Sequence, residues 1–233
     1  MKHFNIKLIV PIVGIIFVLF PSCKKTPDPV STPASCESLT DVDGNVYTAI
    51  EIGDQCWMQK NLNVSHYRNG SSIPQVQDPA AWVNLTTGAW CYYENNSANG
   101  IVYGKLYNWY AVNDLRSLAP AGWHVPSTSE WTILTNFLGY VGAGSKMKEA
   151  GRAHWNGLTG NVGNNSSGFT GLPGGYRSDY LGQFGTLGEH GFWWSSTEAN
   201  NIHARCRHLD DTDICIDSSA NKIYGYSIRC VRD

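Results

Sequence analysis

The sequence predicts an α+β domain in which two helices sit beside small antiparallel sheets joined by long loops. Three observations carry this. Ser127 to Leu138 has the caps and apolar spacing of a helix, and short alternating segments elsewhere have the pattern of half-buried strands. The third is composition: 24 Gly, 9 Trp and 12 Tyr in 233 residues, with only 15% charged. That mixture suits a rigid, turn-rich exported domain rather than a helical enzyme.

The first 22 residues stand apart from the fold. Lys2 and Lys7 form a positive start, and Leu8 to Phe20 is an apolar run broken only by Pro11 and Gly14. Ser22 then precedes Cys23. This is the pattern of a secretory signal peptide, and its ending resembles a bacterial lipoprotein box, so Cys23 is expected to be the acylated N-terminus after cleavage. The run is short for a retained transmembrane anchor of about 20 residues. Residues 23–38, rich in Pro, Thr and Ser, are expected to be a flexible tether, and residues 39–233 a single domain. Removing residues 1–22 leaves 15 basic against 19 acidic side chains, a formal charge of −4. That balance argues against nucleic acid as a partner.

Along the domain, Asp41 to Asn45 is a turn, and Val46 to Ile52 alternates as a strand. Gly53-Asp54 is a two-residue hairpin loop, with Gln55 to Met58 returning. Leu62 to Thr87, with Pro74 and Pro79, is expected to be loop, and Ala89 to Tyr93 a short strand. Tyr103 to Asn113 is the first expected helix.

The second helix follows a strand-like approach, Trp123 to Val125, held extended by Pro126. Ser127 is a natural N-cap with Glu130 as the reciprocal member of a capping box. Trp131, Leu134 and Leu138 form the inward stripe, and Gly139 ends the helix. Local geometry therefore accounts for Ser127, Glu130 and His124 without catalysis. Lys146 to Gly151 suggests a short helical turn. Gly157 to Gly168 offers Asn and Ser oxygens but lacks the carboxylate spacing of a calcium loop.

Ser178 to Gly191 is a second long loop. The candidate ligand-binding residues in and beside it are Tyr176, Arg177, Asp179, Tyr180, Glu189 and His190. Phe192 to Thr197 is an aromatic strand.

The six cysteines beyond Cys23 are expected to form disulfides in an oxidising compartment, with fifteen possible pairings. One pairing can be argued from register. If Asp210-Asp211 form a two-residue loop, Cys206 opposes Cys215 at a non-hydrogen-bonded position, where Cα atoms lie about 4.5 Å apart. His208 then lies beside Asp213. A zinc site from the same four side chains is the competing reading. No metal or cofactor is expected.

Several stretches together resemble one family. They are Gln55 to Met58 with Asn61-Leu62, Tyr103 to Trp109, Gly122 to Pro126 with Glu130-Trp131, Lys146 to Gly151, Gly168-Phe169 with Leu172 to Arg177, Trp193 to Thr197, and Ile228 to Asp233. The family is the Fibrobacter succinogenes major paralogous domain, found in many envelope lipoproteins of Bacteroidetes and their relatives. The resemblance implies a fold distantly similar to C-type lectin-like and sulfatase-modifying domains, with termini brought together and binding loops between. Relatives often carry a cysteine where this chain has Ala119, paired to the cysteine of the last strand. Any partner of Cys230 must then be Cys36, Cys56 or Cys91.

These features lead to an expectation of a lipid-anchored, cell-envelope binding module in a Gram-negative bacterium, facing the periplasm or the surface. Its ligand would be a glycan or an envelope protein. The Glu-Pro-Asn, Gln-Pro-Asp and Trp-Asn-Asp signatures of calcium lectins are absent. A structural role in a surface appendage or envelope complex is the alternative. An enzyme would need an activated cysteine pair, for which Cys206 and Cys215 are the local candidates, and no other catalytic arrangement stands out.

Overall fold

The computed structural model describes residues 1–3, 36–156, 160 and 162–233. The apolar leader, Cys23 and the tether as far as residue 35 lie outside the described residues. Ser35–Asp233 forms one compact unit.

The elements run β1 (Leu39–Thr40), β2 (Val46–Tyr47), β3 (Ala49–Ile52), β4 (Gln55–Met58), α1 (Pro79–Trp82), β5 (Trp90–Cys91), α2 (Ser97–Tyr103), β6 (Leu106–Tyr107) and α3 (Trp109–Val112). They continue with β7 (Trp123–His124), α4 (Thr128–Leu138), α5 (Ala143–Met147), β8 (Tyr176–Arg177), β9 (Phe184–Gly185), β10 (Gly191–Glu198), β11 (His203–Leu209), β12 (Ile216–Asn221) and β13 (Val231–Arg232). The class is α+β with small antiparallel sheets, as the sequence predicts.

Two sheets organise the rest. The first has strand order β3-β4-β13-β7. The Gly53-Asp54 loop closes its hairpin with Ile52 opposite Gln55, and Val231 pairs with both Trp57 and His124. The last strand thus ties the first hairpin to the approach of α4. The second sheet is β10-β11-β12, and its two faces serve separate cores. Trp194, Ala204, Cys206 and Ala220 join one core with Tyr107, Trp109 and Tyr226. Trp193 and Leu209 join the other, with Trp57, Phe169 and the α4 residues Trp131, Leu134 and Leu138. Alternation along the strands produces this division.

Helix α4 forms as its sequence indicates. The Ser127 side chain accepts from the Glu130 amide and the Glu130 carboxylate accepts from the Ser127 amide, so both halves of the capping box are present. Inside, the Trp131 ring lies 4.7 Å from Trp57 and 5.8 Å from Phe169.

Short strands leave many carbonyls without ladder partners, and buried cations fill much of that need. Arg229, fully buried, donates to the carbonyls of Met58, Phe169 and Thr170 and to the Asn61 amide oxygen, with its face 4.2 Å from the Phe169 ring. Its partners are carbonyls and an amide rather than carboxylates, and burial lowers its pKa to about 9. Arg68, an exposed residue, does the same from the surface for the carbonyls of Ala119, Pro120 and Trp123. Buried Lys148 donates to those of Asp210 and Thr212.

The expected first helix is instead three elements. Asn96 and Asn108 each cap a separate helix, α2 and α3. Gly104 between them has φ +74, and a Cβ there would meet the Leu62 carbonyl oxygen at 2.7 Å. Leu106-Tyr107 is consequently a strand paired with Trp90-Cys91. The turn after α4 begins earlier than expected, at Ala143, and its cap Lys148 is already extended.

The Cys206–Cys215 pairing is corrected. Both thiols are free and buried, because the hairpin loop is longer than two residues. Cys206 opposes Ser218 and His208 opposes Ile216. Cys206 therefore packs in one core and Cys215 in the other. The zinc reading of these side chains fails with it: among the described residues no cluster of three or more His, Cys, Asp or Glu could hold a metal. The disulfide is Cys36–Cys56, with Cα atoms 5.7 Å apart. Cys91 and Cys230 are buried free thiols, and Cys230 shares its core with Ala119.

Candidate functional site

One end of the β10-β11-β12 sheet opens onto a shelf of aromatic rings. Phe192 on β10 lies opposite His208 on β11, with ring centroids 5.3 Å apart. Phe192 stacks on Tyr226 at 4.9 Å and 12°, and His190 stacks on Phe192 at 5.7 Å and 18°. Tyr176 meets Phe192 edge-on at 5.7 Å and meets Tyr224 at the same distance. Tyr226 is buried beneath, while Tyr176, His190, Phe192, His208 and Tyr224 are each partly exposed. Pairs in such offset or edge-on arrangements add about 0.5–1.5 kcal/mol each beyond area burial, so the rings hold one another in place.

The backbone delivers these rings from four segments. Gly175 donates to the His190 carbonyl, and Arg177 exchanges both backbone hydrogen bonds with Gly225. Tyr176 is thereby fixed beside Tyr224. Opposite it in β8-β9 stands Gly185, where a Cβ would meet the tyrosine ring at 2.8 Å. Gly185 lets the ring lie across its partner strand.

Arg177 makes the arrangement rigid from below. It is fully buried, and it donates through Nε to Gly182, Nη1 to Val76 and Nη2 to Gln77 at 2.6–3.0 Å. Its guanidinium lies 4.4 Å from the Trp82 ring. This is a loop clamp, so Arg177 is corrected from candidate ligand contact to positioning residue.

Carboxylates mark both ends of the shelf. Asp179 hydrogen-bonds the Tyr224 side chain, whose pKa is raised by burial and by that carboxylate. Asp210 Oδ2 lies 3.7 Å from His208 Nε2. Burial lowers the His208 pKa although Asp210 pulls the other way. The Asp210 carboxyl is held below its ordinary range: burial opposes this, but hydrogen bonds from Thr212 and the nearby imidazoles prevail.

Of the sequence candidates, Tyr176 and His190 lie within the ring cluster and Asp179 at its edge. Tyr180, 80% exposed, stands at the tip of the loop, and Glu189 is exposed beside His190. Phe192, Tyr224 and Tyr226 are not among the sequence candidates, and His208 is one only in the zinc reading. Phe192 was legible only as strand, and the two tyrosines follow β12 with no local signal. The β10–β11 register places Phe192 opposite His208, and the bridges of Gly225 to Arg177 and of Tyr226 to Tyr107 place the two tyrosines.

A second cluster lies at the start of α4. His124 bridges two acids, with Nε2 2.7 Å from Glu130 Oε1 and Nδ1 2.6 Å from Asp233 Oδ1. It borders a cleft of about 300 Å³ lined by Asp54, Gln55, Glu130, Ile133 and Asp233. The carboxylate oxygen of Glu130 that does not touch His124 is occupied by the capping box. The histidine therefore joins the last strand to the helix start. The thiols offer no activated pair: burial raises Cys206 to about 11 and Cys215 to about 12, and the two lie in separate cores.

A family model described as the Fibrobacter succinogenes major domain matches residues 50–232. No curated protein and no solved structure matches the chain.

Proposed function

The chain belongs to the Fibrobacter succinogenes major domain family, and we propose that it is a cell-envelope lipoprotein whose domain binds glycan ligands on the aromatic shelf. The observation that carries this reading is the set of five partly exposed rings around Phe192, fixed by stacking and by the Arg177 clamp. Sugar rings pack their apolar faces on aromatic faces while a few fixed polar groups orient their hydroxyls. Asp179, His208 and Asp210 supply such groups. The anchor reading rests on the leader and on Ser22-Cys23.

A glycan array probed with the full chain, with and without calcium, tests the binding reading. Hits that persist without calcium and disappear in Phe192→Ala with Tyr224→Ala support it. An array without hits contradicts it. Metabolic labelling with a palmitate analogue tests the anchor: label should enter the wild type and be lost in Cys23→Ala.

An assembly role is favoured by a different feature. Ile133, Phe137, Tyr140 and Val141 are 52–75% exposed along the outer side of α4 and just beyond it. An apolar run of this kind fits a protein neighbour.

A further inference from the structure

We propose that the shelf selects glycans bearing protonated amines, as in oligosaccharides of 2-amino sugars, and rejects acidic ones. This rests on the reading of the shelf as a glycan contact and adds its charge preference.

Three features converge. The ring faces present their negative quadrupole, which attracts a cation within about 6 Å. Carboxylates stand at both ends, Asp179 at Tyr224 and Asp210 at His208. The nearest cations are occupied. Lys148, beside Asp210, holds the Asp210 and Thr212 carbonyls. Arg177 holds loop carbonyls, and Lys222 is paired with Glu198 and the Asn201 carbonyl. Arg205 is paired with Asp217, and Arg207 reaches Thr128 and Thr132 on α4.

A uronic acid on this surface would bring its carboxylate toward two others, and Lys148 near Asp210 is already held by loop carbonyls. A glucosammonium group would meet ring faces and an acid together. Burial lowers the His208 pKa, which disfavours an opposing charge on this ring. The rings favour a chain over a single sugar. From Tyr224 through Tyr176 and Phe192 to His208, successive centroids are 5.7, 5.7 and 5.3 Å apart, which offers linked rings several contacts.

Isothermal titration of the full chain at pH 6 and low salt tests this with four probes: the glucosamine hexamer, its N-acetylated form, hexagalacturonate and hexalysine. The glucosamine hexamer should bind at least tenfold more tightly than the N-acetylated one, with hexagalacturonate silent. In Asp179→Asn with Asp210→Asn, checked for folding by circular dichroism, the tenfold ratio should fall toward one. Equal binding of both hexamers, or binding of hexagalacturonate, overturns the charge preference and leaves the glycan reading standing. Hexalysine binding without either glucosamine probe overturns the proposal in favour of a protein ligand. Silence of all four overturns the proposal, and array hits of other sugars would leave the glycan reading standing.

Discussion

Arg229 shows at the level of one residue how this fold tolerates so much irregular backbone. A single guanidinium satisfies three carbonyls, one at the end of β4 and two in the Phe169-Thr170 loop, and the amide of Asn61, which itself accepts from the Trp193 indole at 2.8 Å. An ammonium lacks the planar fork needed to reach all of them, and each buried acceptor left unsatisfied costs about 1–3 kcal/mol. Arg229→Lys should therefore lower stability by about 3 kcal/mol or more, read as a fall in the denaturation midpoint with little change in the denaturant slope. Arg177→Lys should have a different signature. It loosens the loop under Tyr176, so ligand affinity should fall at least tenfold in titration while the thermal midpoint shifts less than for Arg229→Lys. The sequence marks both residues as arginines in a family pattern, yet nothing local shows that they face inward. A charged residue is expected outside, and only the arrangement of distant carbonyls explains the reversal.

Among the elements, α4 is the most legible because every determinant lies within the stretch from Pro126 to Gly139: the proline, the Ser127–Glu130 box, the Trp131 stripe and the terminal glycine. Ser127→Ala should cost about 1 kcal/mol, measured by chemical denaturation. The β10-β11-β12 sheet was less legible because its hairpin loop is stabilised at a distance. Asp213 accepts from Ser145 and its carbonyl from Gly144, contacts that favour a wide loop over the tight turn suggested by Asp210-Asp211.

The clamp on His124 gives α4 a pH signature. Burial opposes its charging, but hydrogen bonds to Asp233 and Glu130 outweigh this and raise its pKa above 6.5. For Glu130 burial again opposes, and bonds from Ser127 and His124 lower it below 4.5. The histidine contribution is complete below pH 6.5 and lost as pH rises through its folded value. The glutamate contribution is complete above pH 4.5 and lost as pH falls through its own. The clamp should thus be strongest between about pH 5 and 6. Relative to wild type, His124→Gln should destabilise more at pH 5.5 than at pH 8.5 when urea midpoints are compared. An equal loss at both would show that the imidazole charge is not involved.

For the whole molecule, family membership and the α+β class could be read from scattered motifs, whereas the assembled aromatic shelf could not. The motifs are largely the internal supports: Trp57, Asn61, Trp193 and Arg229 hold the cores together. The shelf is assembled from Tyr176, His190, Phe192, His208 and Tyr224, which meet only after two sheets have formed. The Cys36–Cys56 bridge staples the start of the domain to β4. Closing a loop of this length contributes about 3 kcal/mol, so reduction should lower the thermal midpoint by roughly 6–12 °C in a domain of this size.

The central claim is that the shelf is the contact surface. Hydrogen–deuterium exchange of the full chain, with and without the strongest glycan-array ligand, tests it most directly. Protection on binding should rise in Tyr176 to Asp179, His190 to Trp194, Cys206 to Asp210 and Lys222 to Tyr226. Protection confined to α4 around Ile133, Phe137 and Tyr140, with the shelf unchanged, would contradict the account.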